Sequence, residues 1–68
     1  MQIVVNGETT QVQDGSTVAD LVAHLYGPDA GPGIAVAIGD DVLSRAQWKS
    51  TIICDGDKIE ILSAVQGG

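Results

Sequence analysis

The sequence predicts an α+β fold in which a single helix lies across a mixed sheet. Three observations carry that prediction. Asn6-Gly7, the strongest short hairpin signal, separates two strand-like runs. Val18, Leu21, Val22 and Leu25 fall at i, i+3, i+4 and i+7, one face of a turn of 3.6 residues. Near the other end, Lys58-Ile59-Glu60-Ile61-Leu62 alternates in the manner of a half-buried strand.

Ile3 and Val5 set the inward face of the first strand, and residues 8–13 return as the second. Asp14-Gly15-Ser16 breaks the pattern. Thr17, with Asp20 three residues on, reads as a capping box with Asp in place of the usual Glu. Tyr26-Gly27-Pro28 ends the helix, because Gly27 is free to take a left-handed conformation and Pro28 cannot continue the helix. The glycine-rich residues 29–33 fail as a phosphate cradle, since that motif needs set glycine spacing and a Lys followed by Ser or Thr.

Ile34, Val36 and Ile38 alternate with Ala35 and Ala37, a small-residue pattern that suits a central strand packed on both sides. Gly39-Asp40-Asp41 turns the chain into a short strand at Val42-Leu43. Ser44 then caps one helical turn through Arg45, Ala46, Gln47 and Trp48, with Trp48 as its anchor to the core. Thr51-Ile52-Ile53 leads to a tight turn at Asp55-Gly56-Asp57. The last strand directs Ile59 and Ile61 inward and Lys58, Glu60 and Leu62 outward. If the first and last strands pair in parallel at the centre, this order is a β-grasp.

A chain of 68 residues has room for one core, so residues 1–68 are expected to form one domain, with 64–68 as a flexible tail. Nine acidic residues against three basic ones give a formal charge of −6. That charge repels nucleic acid and anionic lipid and favours a basic protein surface as partner. The one cysteine, Cys54, permits neither an internal disulfide nor a cysteine metal cluster. The first residues, Met1-Gln2-Ile3-Val4-Val5-Asn6, read as a strand rather than a signal peptide or membrane span. A cytoplasmic location is expected.

No set of side chains forms an autonomous catalytic centre. His24 stands alone on the helix; Cys54 has no histidine nearby in sequence to activate it; and Asp40, Asp41, Asp55 and Asp57 occupy turns, which draw Asp for local hydrogen bonding. Neither catalytic nor metal-ligating residues are assigned, and no bound cofactor is expected. What remains is the tail, Ser63-Ala64-Val65-Gln66-Gly67-Gly68. Two glycines without Cβ atoms can thread a channel too narrow for other residues and carry the Gly68 carboxylate into a partner's active site. An ionised carboxylate is a poor electrophile and needs activation. Attack on the α-phosphate of ATP, bound by that partner, makes AMP the leaving group. A sulfur nucleophile then replaces it to give a thiocarboxylate. Leu62 and Val65 form an exposed apolar pair at the base of the tail and are assigned to partner docking.

Across nearly its whole length the chain resembles the ThiS family of thiamine-biosynthesis sulfur carriers, which are ubiquitin-like β-grasp proteins. The resemblance rests on Asn6-Gly7, Asp14-Gly15-Ser16-Thr17-Val18 with Leu21, Val36-Ala37-Ile38, Arg45 with Trp48, Asp55-Gly56-Asp57 and Val65-Gln66-Gly67-Gly68. It implies adenylation of Gly68 by a ubiquitin-activating-type enzyme (ThiF-like). It further implies sulfur drawn from cysteine through a desulfurase, and delivery to a thiazole synthase (ThiG-like). The family often has proline where Ser44 stands and an Asn-containing turn where Gly39-Asp40 stands; both departures are in surface turns. Three alternatives stay open at this level: a carrier like the small subunit of molybdopterin synthase, a ubiquitin-like protein modifier, and a β-grasp interaction module with an inert tail.

Overall fold

In the first hairpin, β1 (Gln2–Val5) turns into β2 (Glu8–Gln11) through Asn6 and Gly7, with φ of 50° and 84°. Positive φ at both central residues is what a two-residue turn needs to match the twist of its strands. A computed structural model provides this view and describes residues 1–28 and 33–63. The register pairs Val5 with Glu8 and Ile3 with Thr10. Ile3 and Val5 are thereby buried while Gln2 stays exposed.

The helix α1 (Val18–Tyr26) begins at a closed capping box. The Asp20 N–H donates to Thr17 Oγ1 at 3.1 Å, and the Thr17 N–H donates to Asp20 Oδ2 at 3.0 Å. The shorter Asp side chain therefore replaces Glu in this motif without loss of either bond. At the other end the Gly27 N–H closes the last turn on the Ala23 carbonyl at 2.8 Å. Gly27 has the positive φ expected of it, 95°, but its ψ of 160° is extended and not left-handed helical. Only glycine enters that region readily.

The remaining elements are β3 (Ile34–Ile38), β4 (Asp41–Leu43), a 3₁₀ helix (Arg45–Ser50) and β5 (Lys58–Ser63). The sheet order is β2-β1-β5-β3-β4, with β1 and β5 parallel and every other pair antiparallel. The first and last strands lie side by side within the sheet, as a β-grasp requires. One buried cluster joins Ile3, Val5, Val36, Ile59 and Ile61 of the sheet to Val18, Leu21 and Val22 of α1. Trp48 and Ile53 complete it. Ile53 is fixed by backbone bonds between residues 51–53 and the loop before α1: the Ile53 N–H donates to the Ser16 carbonyl and the Val18 N–H to that of Thr51.

Two packing expectations are corrected. Leu25 is 44% exposed, although its spacing places it on the apolar face. The helical period sets the direction of a side chain, whereas burial also requires an element beneath it. β3 is interior to the sheet, but Ala35 is exposed and Ala37 half-buried. The core covers only one face of β3, so its small residues shape an open surface.

Candidate functional site: the base of the tail and the open sheet face

β5 is the strand on which the candidate site is built. It is held on one side by β1 and on the other by β3, whose pairing with it runs from Ile38↔Ile59 to Ile34↔Ser63. Asn6 extends the β1 side. Its N–H donates to the Ile59 carbonyl at 2.9 Å. Its side chain then takes over as a further strand residue, with Oδ1 accepting from the Ile61 N–H at 2.8 Å and Nδ2 donating to the Ile61 carbonyl at 3.1 Å. β5 is thus held on both flanks for two residues past the end of β1.

Leu62 is 69% exposed, as its place in the alternation predicts. Its cross-strand partner is Ala35; two residues along β3, Ala37 faces Glu60 on one side and Val42 on the other. Directly paired residues project to the same face, so Leu62, Ala35, Ala37 and Val42 form a diagonal apolar path from the base of the tail to β4. Val42 is 77% exposed. Lys58 and Glu60 continue the same face along β5. The alanines keep the path low between the larger Leu62 and Val42, a shallow saddle suited to an apolar side chain projecting from a partner.

Of the residues assigned from sequence, Leu62 is placed on this path. Val65, Gln66, Gly67 and Gly68 lie outside the described residues. Ala35, Ala37 and Val42 were not anticipated as site residues. The alternation at residues 34–38 shows which residues share a face, but only the strand register shows that Ala35 lies opposite Leu62.

The other chemistry-bearing side chains are dispersed. His24 is exposed on α1. Cys54 is a free, exposed thiol. The acids around Gly56 are structural: Asp57 Oδ2 accepts from the Cys54 N–H at 2.8 Å and Asp55 Oδ1 from the Gln2 N–H at 2.9 Å. Asp57 thus closes the turn on itself, and Asp55, with the Gly56 N–H donating to the Gln2 carbonyl at 2.8 Å, docks it on the start of β1. Among the described residues no group of three or more His, Cys, Asp or Glu is placed to hold a metal, and no helix is long and apolar enough to cross a membrane. Trp48 is buried and anchors the 3₁₀ helix as expected, with the Arg45 guanidinium 5.8 Å from its ring centroid. At the start of that helix Gln47 Oε1 accepts from the Ser44 N–H at 2.8 Å.

Known proteins match this chain from end to end. The sulfur carrier protein ThiS of Escherichia coli K12 is 37% identical over 68 residues, covering all of both chains. A crystal structure of a thiamine biosynthesis protein (ThiS) from Geobacter metallireducens superposes with a TM-score of 0.80 at 30% identity, again covering all of both chains. A solution structure of a thiamine biosynthesis protein from the same organism gives a TM-score of 0.77 at 28% identity, covering all of this chain and 88% of that one. The ThiS family itself matches residues 2–68. With the strand order, the capped helix and the tail-bearing central strand all in place, this chain belongs to the ThiS family.

Proposed function

We propose that this protein is a sulfur carrier in thiamine biosynthesis, with the Gly68 carboxylate as the carrying group. The observation that supports this most is the full-length match to a sulfur carrier protein, which reaches the terminal Gly67-Gly68 with no residue of either chain left over. The placement of Leu62, at the open end of a strand fixed on both flanks, agrees with it. In this reading the protein is a co-substrate and its partners do the chemistry. A ubiquitin-activating-type enzyme binds ATP, and a Gly68 carboxylate oxygen attacks the α-phosphate to form the acyl-adenylate and release pyrophosphate. Sulfur drawn from cysteine by a desulfurase as a persulfide attacks the acyl carbon and expels AMP, and a thiol reductant then cleaves the resulting acyl disulfide, supplying two electrons and leaving the thiocarboxylate. A thiazole synthase takes the sulfur from it. The protein itself needs no cofactor and no metal for any of these steps.

Leu62, Ala35, Ala37 and Val42, with Val65, form the docking surface for the adenylating enzyme in this proposal, and the net charge of −6 complements a basic rim on that enzyme. ATP–pyrophosphate exchange tests the first step. Exchange by the adenylating enzyme should depend on this protein and should be lost when Gly68 is deleted. Exchange that continues with the deletion variant would place the activated group elsewhere.

A further inference from the structure

We propose that the open edge of β2, together with the groove between it and α1, is a second docking site. It takes an extended peptide segment of a partner as a sixth strand, apolar at its centre and flanked by Lys or Arg. This inference does not rest on the sulfur-carrier reading.

The edge is defined by the ladder. Val12 donates its N–H to the Met1 carbonyl at 2.9 Å, and the Met1 amino group donates to the Val12 carbonyl at 2.7 Å. Bonded and non-bonded pairs alternate along an antiparallel ladder, so Thr10 and Glu8 also face β1. Thr9 and Gln11 therefore turn their N–H and C=O groups away from the sheet. Among the described residues no strand pairs with that side of β2. Proteins commonly blunt such edges with lysine or proline; Glu8-Thr9-Thr10-Gln11 has neither.

Beside this edge lies a groove of about 370 Å³, floored by Val12 and Leu21 and rimmed by Gln11, Gln13, Asp20 and His24. Its volume is at the lower end of the roughly 300–1,000 Å³ of ligand clefts, enough for apolar side chains projecting from an added strand. Main-chain pairing with alternate side chains in a pocket is the general mode of strand addition.

Charge selects the occupant. Residues 1–44 contain no Lys or Arg and carry Glu8, Asp14, Asp20, Asp29, Asp40 and Asp41. Asp20 lines the groove and Glu8 opens β2, whereas Asp14, in the loop after β2, is paired with the Met1 ammonium at 3.3 Å; the attraction therefore comes from Glu8, Asp20 and the net charge of −6. A basic-flanked segment is attracted there, whereas a second copy of this chain brings the same negative charge and is repelled. The location is remote from the end of β5. Gln11 pairs with Gln2, at the end of the sheet away from the Asn6-Gly7 turn, whereas β5, parallel to β1, ends at Ser63 beyond that turn. A partner held at β2 therefore leaves the end of β5 and the open face around Leu62 and Ala35 uncovered.

The test is an amide NMR titration of the full chain with the synthetic peptide Lys-Lys-Val-Ile-Val-Ile-Lys-Lys, compared with the same apolar core flanked by glutamates. The lysine-flanked peptide is expected to give saturable shifts at Thr9, Gln11, Gln13, Asp20 and His24 and to slow amide exchange at Thr9 and Gln11. Gln11→Pro removes an outward N–H but no bond to β1, and Gln13→Lys adds a repelling charge at the rim. Each should weaken binding about tenfold or more with the fold intact by amide dispersion. Equal binding of the two peptides, unchanged binding of both variants, or shifts centred on Leu62 and Val42 would overturn the proposal. So would the same shifts produced by raising protein concentration alone, since a second copy would then be the occupant.

Discussion

Asn6 and Ile61, 55 positions apart in sequence, exchange two hydrogen bonds through the Asn6 side chain, at 2.8 and 3.1 Å. The amide imitates a peptide group and continues the β1–β5 pairing one step beyond the backbone of β1. Its residue also supplies the first positive φ of the hairpin turn, a conformation that Asn tolerates better than most residues. One position thus closes the hairpin and steadies the strand that leads to the tail.

These two roles can be separated by substitution. Asn6→Gly keeps the turn conformation and loses the side-chain bonds, and should cost about 1–3 kcal/mol. Asn6→Ala loses the bonds and adds left-handed strain, so it should cost about 1–2 kcal/mol more than glycine. Urea midpoints should fall in that order with unchanged slopes, and exchange protection of the Ile61 amide should drop in both variants. Equal midpoints for glycine and alanine would show that the turn conformation carries no penalty.

Trp48 makes a prediction of its own. Among the described residues its indole N–H is buried with no hydrogen-bond partner, an arrangement that costs about 1–3 kcal/mol. Trp48→Phe removes that unsatisfied group while keeping an aromatic ring, so its loss of packing is offset. It should destabilise by about 1.5 kcal/mol or less, whereas Trp48→Ala should cost about 3–5 kcal/mol. Denaturant unfolding followed by circular dichroism distinguishes the two outcomes. A penalty for Phe as large as that for Ala would mean that the N–H is not a burden.

Thr17→Ala should lower stability by about 1 kcal/mol, the usual size of an N-cap effect, because it removes the acceptor for the Asp20 N–H. Thr17→Ser keeps that oxygen and should be near neutral. Thermal melts of the two variants provide the comparison.

The local signals in the sequence were enough for the elements, and their limits were of one kind. Thr17 and Asp20 are three residues apart, Asn6 and Gly7 adjacent, and Ile59 and Ile61 alternate; each pattern constrains its own few residues, and each is found in the structure. Leu25 has the right spacing and is still exposed, because no period encodes whether something lies beneath a given turn. Ala35 likewise gives no sign that it faces Leu62, which depends on a register between strands far apart in sequence. The side-chain role of Asn6 was hidden for the same reason. Leu62 was legible as an exposed apolar residue because its side chain interrupts the outward polar pattern of β5, while Ala35 and Val42 needed the sheet to bring them beside it.

Docking along the open sheet face is tested by Leu62→Asp and Val42→Asp. Both side chains are more than two-thirds exposed, so neither change removes a core contact. Each should weaken binding to the adenylating enzyme by about tenfold or more, the effect of losing an interface residue worth roughly 1.4 kcal/mol. Calorimetric titration should report the loss with the melting temperature preserved. Unchanged affinity in both variants would make the apolar path ordinary surface.

The central claim is that sulfur is carried on the Gly68 carboxylate itself. An added residue moves the terminal carboxylate about 3.3–3.6 Å along an extended chain, comparable to the whole separation of about 3–3.5 Å at which reacting atoms must be held. The decisive measurement is intact-mass spectrometry with fragmentation, after incubation with the adenylating enzyme, ATP and a sulfide source. The native chain should show one oxygen replaced by sulfur, located at Gly68, and a chain extended by one uncleaved residue should show no replacement. Sulfur at the new terminus of the extended chain, or at any position other than Gly68 in the native one, would contradict the account.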